Sequence, residues 1–161
     1  MPYNHTQHGL WHYLLLIFSA ATLVTLWLTR REVGGWLIHR ELAVLNLLVV
    51  IAAVFAFYGL MFGSLTIRDK GDFLSLRFGP LPVLRKTIRY TDITGVEIGR
   101  TNIIDGWGIH FMPGRGWTYN IWGFDCVKVT LGRKIIRVGT DDTEELAKVI
   151  REKMGRSGLS E

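Results

Sequence analysis

Two long apolar stretches occupy most of the first 63 residues. Residues 10–28, LWHYLLLIFSAATLVTLWL, contain no Asp, Glu, Lys or Arg, and residues 42–63, LAVLNLLVVIAAVFAFYGLMFG, contain no charged residue at all. At about 1.5 Å per residue, helices of these lengths measure roughly 28 and 33 Å, which matches a bilayer hydrocarbon core of about 30 Å. The pattern therefore predicts two transmembrane helices, over about 10–29 and 42–63, in an N-terminal region that covers residues 1–63.

Two other interpretations of these stretches are weaker. A cleaved signal peptide is disfavoured because the tail MPYNHTQHG has no Lys or Arg and no polar sequence follows a small-residue cleavage site. A buried soluble helix is disfavoured for the second stretch, because the rest of the chain is too small and too rich in strand patterns to cover it on all sides. The linker TRREVGGWLIHRE places Arg30, Arg31 and Arg40 at headgroup level, as expected for a membrane hairpin.

From Ser64 onward, apolar and polar positions alternate, which is typical of β-strands. Gly, Pro, Asp and Asn separate the runs, so we expect seven or eight antiparallel strands in a domain over 64–161, with consecutive strands forming hairpins. The runs are LTIRD, FLSLRFG, KTIRY, GVEIGR, GWGIHFM, WTYNIW, CVKVTLG and KIIRVGT. The side chains expected to face the core are Leu65, Ile67, Leu74, Leu76, Phe78, Ile88, Tyr90, Val96 and Ile98.

The chain then changes to a helical period in DDTEELAKVIREKMGR. Asp141, with Glu144 three residues later, is typical of a capping box, so we expect a helix over about 141–155. Its apolar stripe, formed by Leu146, Val149, Ile150 and Met154, is expected to close one open end of the sheet.

This order of elements resembles the bacterial pleckstrin-homology-like (PH-like) family. The resemblance covers about Ser64 to Met154 and rests on RFGPLPVLRKTIRYTDITGVEIGR, the GWG hairpin and the terminal helix. It implies a membrane α-hairpin joined to an α+β domain, a PH-like split β-barrel of antiparallel strands capped by a C-terminal α-helix. It also implies that the domain binds a protein or lipids and that it catalyses no reaction.

One feature departs from the lipid-binding eukaryotic PH domains, which the first hairpin otherwise resembles. Those domains carry a cluster of basic residues there, which Lys70 and Arg77 match, but Gly79 stands where the last Arg is expected. Specific phosphoinositide recognition is therefore not implied.

Residues 105–123, DGWGIHFMPGRGWTYNIWG, hold three of the six tryptophans and predict a β-hairpin with its turn at Pro113–Gly116. We expect Trp107, Ile109 and Phe111 to share one face with the aromatic residues of the next strand. Aromatic alternation in a sheet favours structural packing over ligand binding. The exception is the tip, where Met112, Arg115 and Trp117 are candidate contacts for a partner or for headgroups.

Most of the positive charge lies in the β-domain, which has sixteen Lys and Arg against twelve Asp and Glu. Two clusters are candidates for contact with anionic lipid or a protein partner, although an ordinary solvated face explains them equally well. They consist of Arg85, Lys86 and Arg89, and of Arg133, Lys134 and Arg137. Nucleic acid is disfavoured, because a membrane-tethered β-domain without a basic helix is a poor match for it.

Other site chemistry is weakly indicated, so no catalytic, cofactor or metal site is expected. The glycines of 105–123 lack the strand–turn–helix context of a nucleotide-binding loop. The tail residues His5, His8 and His12 have no Cys or carboxylate nearby in sequence to complete a metal site. His110 has no Ser, Cys or Asp in a recognisable catalytic arrangement.

The sequence thus predicts a membrane-anchored PH-like interaction or scaffold module in a bacterial inner membrane. The counts of basic residues on the two sides of the helices tie, and of the two orientations we favour a cytoplasmic domain. An extracytoplasmic sensor or ligand-binding domain is the alternative. A homo-oligomer is compatible with the sequence but nothing in it points to one.

Overall fold

The computed structural model describes residues 2–32, 39–80, 83–102 and 107–157, and the side chains within 2–29, 43–80, 83–102 and 107–155. Its helices are α1 (Trp11–Glu32), α2 (His39–Met61) and α3 (Thr143–Ser157). Its strands are β1 (Asn4–His8), β2 (Ser64–Asp69), β3 (Phe73–Phe78), β4 (Arg85–Arg89), β5 (Gly95–Arg100), β6 (Gly108–Met112), β7 (Gly116–Asn120), β8 (Asp125–Leu131) and β9 (Lys134–Gly139). The eight alternating runs and the three helices expected from the sequence each correspond to an element. The side chains of Arg30, Arg31 and Arg40, expected at headgroup level, lie outside the described residues.

The two apolar helices pack against each other and expose most of their other surface. Ser19 donates a hydrogen bond of 2.9 Å to the carbonyl of Ala52, and both residues are buried. Small residues at such a contact allow close helix approach. Only 11% of the span Trp11–Thr29 and 22% of the span Ala43–Met61 is buried. By length and composition, both helices are apolar enough to cross a membrane. Because so little of them is buried, they are not core helices of the β-domain.

The strands form two sheets whose order differs from a simple series of hairpins. One sheet has the order β1-β2-β3-β4, and the other has the order β5-β8-β9-β7-β6. The expectation of purely antiparallel hairpin neighbours is wrong for β7, which runs parallel to β9. No ladder between the described strands joins the two sheets, so they form an α+β domain and not a closed barrel.

Asn120 at the end of β7 explains why β7 and β8 do not form a hairpin. Its side chain accepts from the Trp122 N–H at 3.2 Å and donates to the Gly123 carbonyl at 2.9 Å, which turns the chain out of the strand. A Cβ atom at Gly139 of β9 would lie 2.2 Å from the Asn120 side-chain oxygen. Asn120 thus sits directly on the neighbouring parallel strand, and β8 enters on the far side of β9.

The N-terminal tail forms β1, a strand that its sequence pattern does not predict. β1 pairs with β2 along its whole length, and the Gly9 N–H donates to the Gly63 carbonyl at 3.2 Å. Tyr3 belongs to the hydrophobic core of the β-domain. The tail and the β-domain therefore lie together at the same end of the helical hairpin.

The core lies between the sheets and under α3. Leu146 and Ile150 of α3 are fully buried, as their stripe predicts. Ile98, expected in the core, is instead 48% exposed. The helix begins at Thr143, and the Asp142 carbonyl accepts its first hydrogen bond, from the Leu146 N–H. Asp142 therefore occupies the N-cap position, and the expectation that Asp141 does so is wrong. The Asp141 carboxylate contacts the His5 ring instead, at 2.5 Å.

Candidate binding groove

An open groove of about 1210 Å³ separates β4 from the ends of the strands of the second sheet. Four consecutive residues of β4, 86–89, form one wall. The other wall combines the β6–β7 turn, the β8–β9 turn and the residues around Thr94 that precede β5. The groove is therefore the place where the two sheets separate, and we call it the inter-sheet groove.

The inter-sheet groove carries an excess of positive charge. Lys86 and Arg89 line it from β4, Arg133 from the β8–β9 turn and Lys134 from the start of β9, against the single carboxylate of Asp92. Within the described part of the chain, none of these four cations forms an ion pair. Unpaired cations on two facing walls favour an anionic ligand between them.

Two aromatic side chains stand at the mouth of this groove. Phe111 and Trp117 face each other across the β6–β7 ladder, with ring centroids 5.3 Å apart. Phe111 is 56% exposed and Trp117 is 43% exposed. The Phe111 ring therefore packs against Trp117 at the surface and not in the core.

The structure gathers five of the nine candidate contact residues from the sequence in the inter-sheet groove: Lys86, Arg89, Trp117, Arg133 and Lys134. Arg85 is exposed at the start of β4, outside the lining. Arg115 is half-buried and donates to the Asn102 side chain at 3.3 Å, while its carbonyl accepts from Arg137. Met112 is half-buried opposite Gly116. These four residues are thus separate from the charged cluster.

The opposite end of the β6–β7 hairpin packs against the helices. The Trp107 ring stacks on Trp122, with centroids 5.4 Å apart, and lies 5.3 Å from the Trp11 ring of α1. A second, mostly apolar cavity of about 620 Å³ lies here between α1, α2 and β6. The tryptophan-rich stretch therefore has two roles, one end joining the domain to the helices and the other lining the inter-sheet groove.

Gly79 lies at the same junction and explains the departure from the basic PH pattern. It has a positive φ of 60°, and a Cβ atom there would lie 2.6 Å from the carbonyl oxygens of Leu60 and Met61. An arginine cannot occupy this position without moving the end of α2. Arg77 is half-buried and donates to the Pro80 carbonyl, so its guanidinium has a hydrogen-bond partner close by in the chain.

The principal buried charged group lies away from the inter-sheet groove, under α3. Asp69 accepts hydrogen bonds from the Gly71 N–H at 2.8 Å and the Tyr90 hydroxyl at 3.1 Å, and Lys153 lies 3.0 Å away. Burial alone raises the pKa of Asp69, but these three partners outweigh it and hold the pKa below its ordinary value. Burial, and then the neighbouring Asp69 carboxylate, raise the pKa of Tyr90. This network is a structural clamp between β2 and α3.

No group of three metal-ligating side chains occurs among the described residues. His5 contacts Asp141, His110 contacts the Trp107 carbonyl at 2.6 Å, and His12 contacts the Gly9 carbonyl, so each of these three imidazoles has a local partner. Comparisons with protein-family models, with curated proteins and with solved structures return no match to this chain.

Proposed function

We propose that this protein is a membrane-anchored PH-like binding module that holds an anionic partner in the inter-sheet groove. The observation that carries the proposal is the meeting of four unpaired cations and two exposed aromatic rings in one open groove. Aromatic and basic side chains together are enriched where proteins bind partners, because rings supply contact area and cations supply orientation and specificity.

The PH-like assignment is supported by the arrangement of the elements. Two packed sheets of short strands are followed by one amphipathic C-terminal helix, whose buried side chains close one end of the core. Loops and exposed strand edges are the parts of a β-domain that commonly bind ligands. The fold assignment remains part of the proposal.

The two apolar helices anchor this module in the bilayer. The strand β1 precedes α1 and belongs to the same sheet as β2, so cleavage after α1 would remove a strand from the domain. We propose a bacterial inner membrane with the domain and the N-terminus together on the cytoplasmic side. A reporter fused after Glu161 tests the side, and activity of a periplasmic reporter there would favour the extracytoplasmic sensor instead.

We also propose that the module catalyses no reaction. The residues that line the inter-sheet groove include Thr87 and Thr94, but no Ser, Cys or His that would pair a nucleophile with a base. Ligand binding there needs only charge and shape.

The proposal is tested with the full chain in phosphatidylcholine nanodiscs and two anionic probes, a soluble oligoglutamate peptide and phosphatidylglycerol vesicles. Neutralising the groove as Lys86→Gln, Arg89→Gln, Arg133→Gln and Lys134→Gln should abolish binding and its salt dependence. A matched control neutralises four exposed cations outside the groove, namely Lys70, Arg100, Lys148 and Arg151. Equal binding by both quadruple variants would refute the groove as the site.

A further inference from the structure

The strand β4 has a free edge that lies along the inter-sheet groove. Among the described strands, β4 pairs with β3 only. Neighbouring residues of a strand point to opposite faces of the sheet, yet all of residues 86–89 line the groove. The groove wall is therefore the edge of the strand, with its backbone, and not one face of it.

Two hydrogen bonds at the ends of the β3–β4 pair fix the direction of the backbone groups. The Phe78 N–H donates to the Leu84 carbonyl at 2.9 Å, and the Tyr90 N–H donates to the Asp72 carbonyl at 3.1 Å. Bonded and non-bonded residues alternate along an antiparallel pair. The β4 residues whose backbone N–H and C=O point away from β3, towards the free edge, are therefore Arg85, Thr87 and Arg89.

We propose that the ligand of this groove is an extended acidic protein segment that adds to the sheet as a new strand beside β4. The proposal rests on the proposed function and specifies the partner. Strand addition to an exposed edge uses backbone hydrogen bonds for affinity and side-chain contacts for selectivity. Residues 86–89 offer about 13 Å of edge, enough for a segment of about four residues.

The groove chemistry selects the sequence of such a segment. Cations on both walls match acidic side chains, while the exposed rings of Phe111 and Trp117 match apolar ones on the alternate positions. A second copy of β4 is disfavoured as occupant, because pairing two such strands would bring Arg85, Lys86 and Arg89 against their own equivalents. A lipid headgroup would leave the row of free N–H groups unused.

The test uses the full chain in phosphatidylcholine nanodiscs and the synthetic peptide acetyl-EVEVEVE-amide. Two N-methylated versions, one at the valines and one at the glutamates, keep the charge but each removes one alternate set of backbone N–H groups. Strand pairing predicts that one version loses affinity by about ten-fold or more while the other binds nearly as the parent does.

Proline variants give a matched pair on the protein side. Thr87→Pro removes the central free-edge N–H of β4 without breaking a β3–β4 hydrogen bond. Thr6→Pro does the same on the other edge strand of that sheet. Tyr3 and Gly9 bond to β2 at the two ends of the ladder, so the alternation along the pair leaves the Thr6 N–H pointing away from β2. We expect Thr87→Pro to weaken peptide binding by about ten-fold and Thr6→Pro to leave it unchanged.

The outcomes separate this inference from the proposed function. Equal binding by both methylated peptides would mean that charge alone holds the ligand, which overturns strand addition and leaves the anionic groove standing. Binding of phosphatidylglycerol vesicles but not of the peptide, lost in the groove quadruple variant, would make a lipid headgroup the ligand and also overturn it. Binding of neither probe would overturn both proposals. If the Thr87→Pro variant fails to fold, the comparison of the two N-methylated peptides still tests strand addition.

Discussion

The hydroxyl of Tyr3 donates a hydrogen bond of 3.2 Å to the carboxylate of Asp142, joining the N-terminal strand to the start of the C-terminal helix. The two residues are 139 positions apart, and both apolar helices lie between them in sequence. Burial, followed by the charge of Asp142, raises the pKa of Tyr3. The β-domain is therefore assembled from both sides of the helical hairpin.

This arrangement predicts how a soluble form of the domain should be made. Because Gly9 and Gly63 are hydrogen-bonded partners, an Asn-Gly turn can replace residues 10–62 and join β1 to β2 as a hairpin. We expect this form to be more stable than the fragment 64–161 by about 2–4 kcal/mol, since the fragment lacks the buried Tyr3 and one edge ladder. Urea unfolding measures the difference, and equal midpoints would show that β1 contributes nothing.

The clamp around Asp69 predicts an acid-sensitive stability. The pKa of Asp69 is lower in the folded state than in the unfolded state, so the carboxylate stabilises the fold fully above the unfolded pKa of about 3.9. This stabilisation is lost as the pH falls below the unfolded pKa and through the folded pKa. Asp69→Asn should lower stability near neutral pH by about 1–3 kcal/mol and flatten the loss at low pH. Thermal unfolding in detergent against pH measures this. The exposed Asp72→Asn is the control, and an identical pH profile for both variants would contradict the clamp.

A buried and an exposed aromatic side chain should respond differently to truncation. Phe78 is 1% exposed, so Phe78→Ala should cost about 3–5 kcal/mol. Phe111 is 56% exposed, and Phe111→Ala should change stability by only about 0.5 kcal/mol while weakening peptide binding in the inter-sheet groove. Melting temperatures and binding isotherms of the two variants separate the roles. A large loss of stability in Phe111→Ala would place its ring in the core after all.

The helical hairpin predicts integral membrane behaviour. With both helices in the bilayer, alkaline carbonate and high salt should leave the protein in the membrane fraction, and detergent should release it. Immunoblots of fractionated cells measure this. The matched control is the form in which the turn replaces residues 10–62, which should remain in the soluble fraction. Release of the full chain by carbonate would exclude a transmembrane hairpin.

The sequence by itself determined the elements that depend on local pattern. The two apolar stretches, the eight alternating runs and the stripe of Leu146 and Ile150 each indicate their element, because burial on one face imposes a period that can be read from neighbouring residues. The short tail NHTQH has no apolar alternation, so nothing local marked it as a strand. It is held in place by pairing with β2, a partner about sixty residues away.

Only the tertiary structure determined which strands pair and which residues meet in the inter-sheet groove. The parallel contact of β7 with β9 depends on how Asn120 fits against Gly139, which no periodicity encodes. In the sequence, Arg133 and Lys86 belong to two separate clusters of basic residues. The separation of the two sheets brings both into one groove with Trp117, and leaves Arg115 and Arg137 bonded to each other outside it. Charge and aromatic content are local properties, but their convergence depends on contacts between residues that are distant in the chain.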